Sequence, residues 1–306
     1  MITIKNGVLT DIDPCKVWEY ETETIPVSEN GTLVIPSADK HGQPVVEIKD
    51  ICVVSEDIYD VPIKTVVIPD TIRTIREDAF SGLNQLAEIH IPASVESISA
   101  GFANHCFSLN KITVDPENMF YDSRDNCNAV ICKKTNTLVQ GCGTSIIPRG
   151  VKVIGQSAFS GCKQLSTIAI PDSVTTISDE AFEDCSNLEN IVIPSSVRKI
   201  GDSAFRSCGS LTSLHLPDNI EEIGSYAFAD CNNINYMRIP SEVKIKDNAF
   251  DYFSKHIIIL TTLPKAKELI DRFHDYLEVA LFAILYKFSY EERMEVLDVK
   301  GVLDKI

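Results

Sequence analysis

Basic residues are scarce in this chain. Against 44 Asp and Glu stand 28 Lys and Arg, giving a net charge of −16 over 306 residues and an isoelectric point near 4.8. Binding to a phosphate backbone needs a basic footprint, so this balance argues against a nucleic-acid partner. Tryptophan is nearly absent: Trp18 is the one copy. Long apolar runs are missing too, and the stretch Val279 to Tyr286 is too short to span a bilayer. There is no Gly-rich phosphate loop, no H-E-x-x-H, no G-x-S-x-G and no paired C-x-x-C. The six histidines, at 41, 90, 105, 215, 256 and 274, are scattered. Carboxylates such as Asp172, Asp179 and Asp202 sit where turn formation explains them. These absences point away from an enzyme, and no catalytic, cofactor-binding or metal-ligating residue is assigned. Met1 leads into Ile2-Thr3-Ile4-Lys5-Asn6-Gly7, without the basic and apolar regions of a secretory leader. The expectation is a cytoplasmic protein, with the cell surface or secretion as the alternative if a leader was removed.

What is present is repetition. Leu165 to Asn233 reads LSTIAIPDSVTTISDEAFEDCSN, LENIVIPSSVRKIGDSAFRSCGS and LTSLHLPDNIEEIGSYAFADCNN, with Leu165, Leu188 and Leu211 each 23 residues apart. A fixed period of this length is the mark of a solenoid. In one repeat the inward candidates are Leu165, Ile168, Ile170, Val174, Ile177, Ala181, Phe182 and Cys185. Their burial cannot offset the entropy of ordering a whole coil, so a single coil is unstable and only stacking closes the gap. The Leu-x-x-Ile-x-Ile stretch ends in a period of two, which predicts a short strand. Pro171, Pro194 and Pro217 then end it, because proline has no N–H to continue a ladder. Gly201 and Gly224 share a turn position, and the Asp-x-x-Ala-Phe piece predicts a helical turn. Cys162, Cys185, Cys208 and Cys231 fall 23 apart and predict a ladder of buried free thiols. Four ligands in a line cannot surround one metal ion.

The pattern L-x-x-I-x-I-P-x-S-V-x-x-I-G-x-x-A-F-x-x-C resembles the BspA-type bacterial leucine-rich repeat, over roughly Leu33 to Leu260. The resemblance implies a curved solenoid with a parallel β-sheet on its concave face and turns and helical turns on the convex side. It also implies protein recognition, often on bacterial surfaces as an adhesin, and no enzymatic activity.

Three regions follow. Residues 1–62 read as an N-terminal cap with a divergent first repeat, in which Trp18 caps the core or, alternatively, stacks on sugar. Residues 63–262 form the solenoid. Leu109 to Leu165 spans 56 residues, so one coil carries ten extra, placed in 115–143. There Ala129-Val130-Ile131 and Thr137-Leu138-Val139 flank a Lys133-Lys134-Thr135-Asn136 turn, which predicts a hairpin. Cys127, Cys132 and Cys142, with His105-Cys106 nearby, allow a zinc alternative, though the spacing matches no standard signature. Ile257 to Leu260 reads as the last strand. From Pro264 apolar residues recur at helical spacing through Phe288, and Ser289-Tyr290-Glu291-Glu292 opens a second helix, so 263–306 reads as a two-helix cap or, alternatively, as a partner-binding or dimerising helix.

The residues between the buried isoleucines must face outward: Thr65, Val67, Glu88, His90, Lys111, Thr113, then Thr167, Ala169, Asn190, Val192, Ser213, His215, Tyr236 and Arg238. This strip is the candidate partner-binding face, with Glu88, His90, Lys111, Asn190, His215, Tyr236 and Arg238 as its contacts and the last two as the types most enriched at hot spots. The expected partner is a protein. A host protein or glycan bound by a surface adhesin is the alternative reading.

Overall fold

The computed structural model describes residues 2–5, 8–11, 28–49, 63–252, 257–261, 265, 268–269 and 280–282. Each 23-residue repeat forms one coil, and each coil has three sides. The first side is the Ile-x-Ile strand. Successive strands pair in parallel at exact repeat spacing, as in Thr167↔Asn190, Ile168↔Ile191 and Ala169↔Val192. The second side is a two-residue strand after the Val of the repeat: Thr176–Ile177, Lys199–Ile200 and Glu222–Ile223 pair in parallel, one coil to the next. Proline ends the first strand and its carbonyl accepts the turn bond that aims the chain at the second, as in Val174 N–H to Pro171 O at 3.0 Å.

The third side carries Ala-Phe. It was expected as a helical turn, but Glu180, Ser203 and Tyr226 have φ of 57°, 53° and 55°, which breaks a right-handed helix. The backbone bonds there run between coils: Phe159 N–H to Ala181 O, Phe182 N–H to Ala204 O and Phe205 N–H to Ala227 O, each 2.8 Å. These lateral bonds alternate with local turn bonds such as Glu183 N–H to Glu180 O at 3.0 Å, so the amides are satisfied without a continuous helix. The glycines before this side are required by close approach. A Cβ at Gly201 would lie 2.4 Å from the Asp179 nitrogen, and one at Gly224 would lie 2.4 Å from that of Asp202.

Inside, Phe159, Phe182, Phe205, Phe228 and Phe250 form a continuous column. Ring centroids are 5.0, 5.1, 5.4 and 5.9 Å apart and planes lie within 10°. The cysteines behave as expected of a thiol ladder: Cys162, Cys185, Cys208 and Cys231 are buried and free. The Sγ–H of Cys185, Cys208 and Cys231 donates to the carbonyl of the phenylalanine 26 residues earlier, at 3.1–3.2 Å. Burial pushes all four thiols up, Cys231 to about 12.

The predicted hairpin is present: Val130–Cys132 pairs antiparallel with Thr137–Gln140, and Tyr121–Asp122 adds to its outer edge. It belongs to the second side, because Thr137↔Val153 and Leu138↔Ile154 continue in parallel into the regular coils. The other two sides have no strand and no phenylalanine to match. At Gly141 the backbone itself fills the ring position, and a Cβ there would meet the Phe159 ring at 2.2 Å. The hydrophobic interior divides at this point. Residues from Leu33 to Val114, with Tyr121, Val130 and Cys142, form one cluster, and residues from Cys127 to Leu269 form another.

Polar side chains bridge the division. The Asn128 amide accepts from Ile112 N–H at 2.8 Å and donates to Asn110 O at 2.8 Å, as a neighbouring strand's peptide would. Asn118 is fully buried where regular coils have valine. It donates to the Pro92 and Val95 carbonyls and accepts from the N–H groups of Phe120 and Tyr121, so all four of its bonds are made. On the third side His105 meets Asp184 at 3.4 Å, and Lys163 Nζ sits 4.0 Å above the Phe107 ring.

At the N-terminal end, Ile2–Lys5 and Val8–Asp11 form an antiparallel pair, and Val8–Asp11 extends the second side through Glu47–Ile48. Trp18 lies outside the described residues. At the other end Ile257–Leu260 is a strand as expected, but not the last. Ala280–Phe282, expected within a helix, pairs with it in parallel. Residues 265 and 268–269 are helical, and Leu269 is buried in the core. The rest of the two-helix cap lies outside the described residues.

Candidate functional site

The first side supplies the outward face, and the structure divides it. Thr32–Val34, Thr65–Val67, Glu88–Ile91 and Lys111–Val114 make one four-stranded sheet. Thr167–Ala169 with Asn190–Val192 make a second piece, and the strands from Ser213–His215 onward a third. The expected continuous strip is therefore interrupted, because the hairpin coil places no strand between Lys111–Val114 and Thr167–Ala169.

Of the expected contacts, Glu88, His90 and Lys111 come together. Glu88 is opposite Lys111 and His90 opposite Thr113 in register. Lys111 Nζ donates to Glu88 Oε2 at 2.9 Å, and His90 Nδ1 is 2.9 Å from Thr113 Oγ1. With Thr65 and Val67 they line an open depression of about 350 Å³. Asn190, His215 and Arg238 lie beyond the interruption. Arg238 is partly turned aside: it donates to the Asp218 carboxylate and, at 3.2 Å, to Leu216 O. The Tyr236 backbone pairs with Ser213, and its side chain lies outside the described residues.

The position just before the second isoleucine recurs in each coil, on both sides of the interruption. Val34, Val67, Ile146 and Val192 at this position are exposed. Val192 is 78% exposed and Ile146 is 64% exposed. Val34 and Ile146 were missed from sequence. Ile146 was legible, since Ser145-Ile146-Ile147-Pro148 precedes Ile168-Ala169-Ile170-Pro171 by one 23-residue period. The fourteen expected positions of the face carry Glu88, Lys111 and Arg238, a sum of +1 in a chain of −16.

Among the described residues no group of three His, Cys, Asp or Glu is placed to hold a metal ion. The zinc alternative at Cys127, Cys132 and Cys142 does not assemble. Cys127 Sγ is 3.7 Å from Ala129 O, and Cys142 Sγ is 3.5 Å from Asn128 O. No helix among the described residues is long and apolar enough to cross a membrane.

Residues 56–142 and 140–257 match the model of the BspA type leucine rich repeat region, in six copies. No curated protein matches the chain significantly. Among solved structures, a leucine rich cell surface protein of Faecalibacterium prausnitzii is 29% identical, with a TM-score of 0.60 over 77% of this chain and 61% of that one. The pneumococcal vaccine antigen PcpA is 20% identical, with a TM-score of 0.61 over 74% of this chain and 63% of that one. A leucine-rich repeat protein of Eubacterium ventriosum is 21% identical, with a TM-score of 0.57 over 76% and 66%. At that identity the latter two show the fold. The chain spans somewhat under two-thirds of the length of each of these proteins. The expectation of a cytoplasmic location finds no support among them.

Proposed function

The chain belongs to the BspA-type leucine-rich repeat family, and from that premise we propose that it is a non-enzymatic scaffold binding a protein partner through the outward face of its first side. The observation that carries this reading is the face itself. Exposed valines and an isoleucine recur at one repeat position, flanked by Thr, Asn, Ser and His, with a charge of +1 on an otherwise acidic molecule. Exposed apolar side chains with a single carboxylate, Glu88, among the fourteen positions fit the composition of an interface centre. Glu88, His90 and Lys111 give the depression its polar rim, and Val67 and Val192 supply apolar contact.

The partner is sought outside the cell. The relative from Faecalibacterium prausnitzii is described as a cell surface protein and PcpA as a vaccine antigen, and both support a surface or secreted role. Immobilised protein is offered extracellular and host-surface proteins beside a variant carrying His90→Ala, Lys111→Ala and Val192→Lys. A partner held by the parent and released by the variant, at unchanged melting temperature, is the expected result. Equal retention by both would overturn the assignment of this face. Retention abolished by removing glycans from the captured material would favour the adhesin reading with a carbohydrate ligand.

A further inference from the structure

Charge is distributed unevenly along this chain. Between Asp125 and Asp172 there is no aspartate or glutamate, while Lys133, Lys134, Arg149, Lys152 and Lys163 contribute +5. The chain as a whole carries −16, so everything outside this segment carries −21. The fold gathers part of the positive segment at one place. Lys133 and Lys134 occupy the exposed turn of the hairpin. Lys152 N–H donates to Asn136 O of the same turn at 2.9 Å, which places its backbone against it. Arg124 reaches the other side of Asn136, at 3.1 Å from Oδ1.

Beside this basic turn lie the most exposed apolar neighbours in the described sequence. Met119 is 78% exposed and Phe120 is 47% exposed. Lys133 N–H donates to Phe120 O at 2.9 Å, and Lys133 Nζ donates to Asn118 O, so an ammonium group is fixed next to the Met-Phe pair. Two of the flanking acids have basic partners. Asp122 is bonded by Arg124 through both oxygens, and Glu96 is paired with Arg73 at 3.6 Å. Asp115, Glu117 and Asp125 remain on the flank.

We propose that this corner, formed by Met119, Phe120, Lys133, Lys134 and Lys152, is a second docking surface that takes an acidic peptide segment carrying an apolar side chain. The ammonium groups would meet carboxylates, and the Met-Phe pair would take up the apolar anchor. Charge complementarity selects an acidic occupant. The size of the patch selects a narrow one. An anionic membrane would bring a broad negative plane against the remaining −21, and two apolar side chains give little insertion. A second copy of this chain is disfavoured for the same electrostatic reason. The surface lies on the second side of the coil, away from the outward face proposed above, and does not depend on it.

The test is fluorescence anisotropy on the full chain with a labelled short peptide in which Asp and Glu flank a Phe-Leu pair. Binding weakened by salt is expected. Lys133→Glu, Lys134→Glu and Lys152→Glu together should weaken it at least tenfold. Met119→Ser with Phe120→Ser should weaken it several-fold, and the His90, Lys111, Val192 variant should leave it unchanged. A milder Lys→Gln set, checked by melting, guards against misfolding of the reversal variant. No binding of the peptide, or affinity unmoved by either lysine set, would overturn the proposal. Equal binding of polyglutamate would reduce the surface to a simple anion site. Binding of phosphatidylglycerol vesicles without the peptide would reassign it to membranes.

Discussion

The coils before the hairpin and the coils after it are written in the same repeat, yet they pack their interiors differently. After the hairpin, five phenylalanines stack nearly parallel in one column, and each of three thiols bonds the coil before it. Before it, Phe80 and Phe102 meet edge-to-face at 6.2 Å and 73°, and among the described residues Cys106 repeats the thiol bond, to Phe80 O at 3.0 Å. The repeat motif thus fixes the backbone of each coil, while the packing of its ring differs between the two runs of coils. Where the hairpin intervenes, Gly141 takes the place of a ring and amide side chains take the place of a strand.

The largest effect should come from cutting the column. Phe205→Ala removes a buried ring stacked on both sides, and about 3–5 kcal/mol should be lost. Phe102→Ala also empties a core position, but its ring has one edge-on partner among the described residues. Its cost should be smaller by about 1 kcal/mol, the value of an aromatic pair beyond its buried area. Urea midpoints of the two variants decide this. Equal losses would show that the column adds nothing beyond burial.

The bridge between the two regions is the next target. Asn128→Ala leaves the Ile112 N–H without its acceptor and Asn110 O without one of its donors, at about 1–3 kcal/mol. Because neighbour contacts are what join coils into one cooperative unit, the variant should unfold in two steps, with the Ile112 amide exchanging faster. A single transition with unchanged exchange would mean that the apolar contacts alone couple the regions.

Alkaline pH should also separate them. In an unfolded chain these thiols ionise near their usual value of about 9, whereas burial holds the folded ones protonated well above it. As pH rises past that value the unfolded state loses protons first, so folding stability falls, by up to about 1.4 kcal/mol per pH unit for each thiol. Cys208→Ala should be less stable at neutral pH but lose stability less steeply between pH 9 and the upper limit set by folded thiols such as Cys231, at about 12. An identical slope would show that other groups govern alkaline unfolding.

Much of this architecture could be read directly from residues. Leu165, Leu188 and Leu211 set the period, the prolines set the strand ends, and Lys133 to Asn136 announced a hairpin turn. The conformation of the third side could not be read, because Glu180, Ser203 and Tyr226 are ordinary residues held at positive φ by bonds to neighbouring coils. Those bonds exist only after stacking. Nor could the interruption of the outward face be read. An insertion shows its length in sequence, but not which of three sides receives it. The strand at Ala280–Phe282 was hidden by apolar spacing that suits a helix equally well, until Ile257–Leu260 offered an open edge. On the candidate face, exposure follows from the alternation of the strand, so Val67 and Val192 were legible while the aside turn of Arg238 toward Asp218 was not.

The smallest effect expected is at the surface. Glu88 and Lys111 pair at 2.9 Å before the hairpin, with side chains 45% and 59% exposed. Lys199 and Glu222 pair at 3.3 Å after it, with similar exposure. Exposed pairs of this kind are worth about 0–1 kcal/mol, since water and salt screen them and both side chains lose freedom. Glu88→Gln and Glu222→Gln should therefore each shift stability by less than about 0.5 kcal/mol, and by the same amount on either side of the hairpin. Thermal melts at low and high salt measure this. A markedly larger loss on one side would place part of the difference between the two regions on their surface. Matching small losses would locate it in the interior, in the column of rings and the thiols that bind coil to coil.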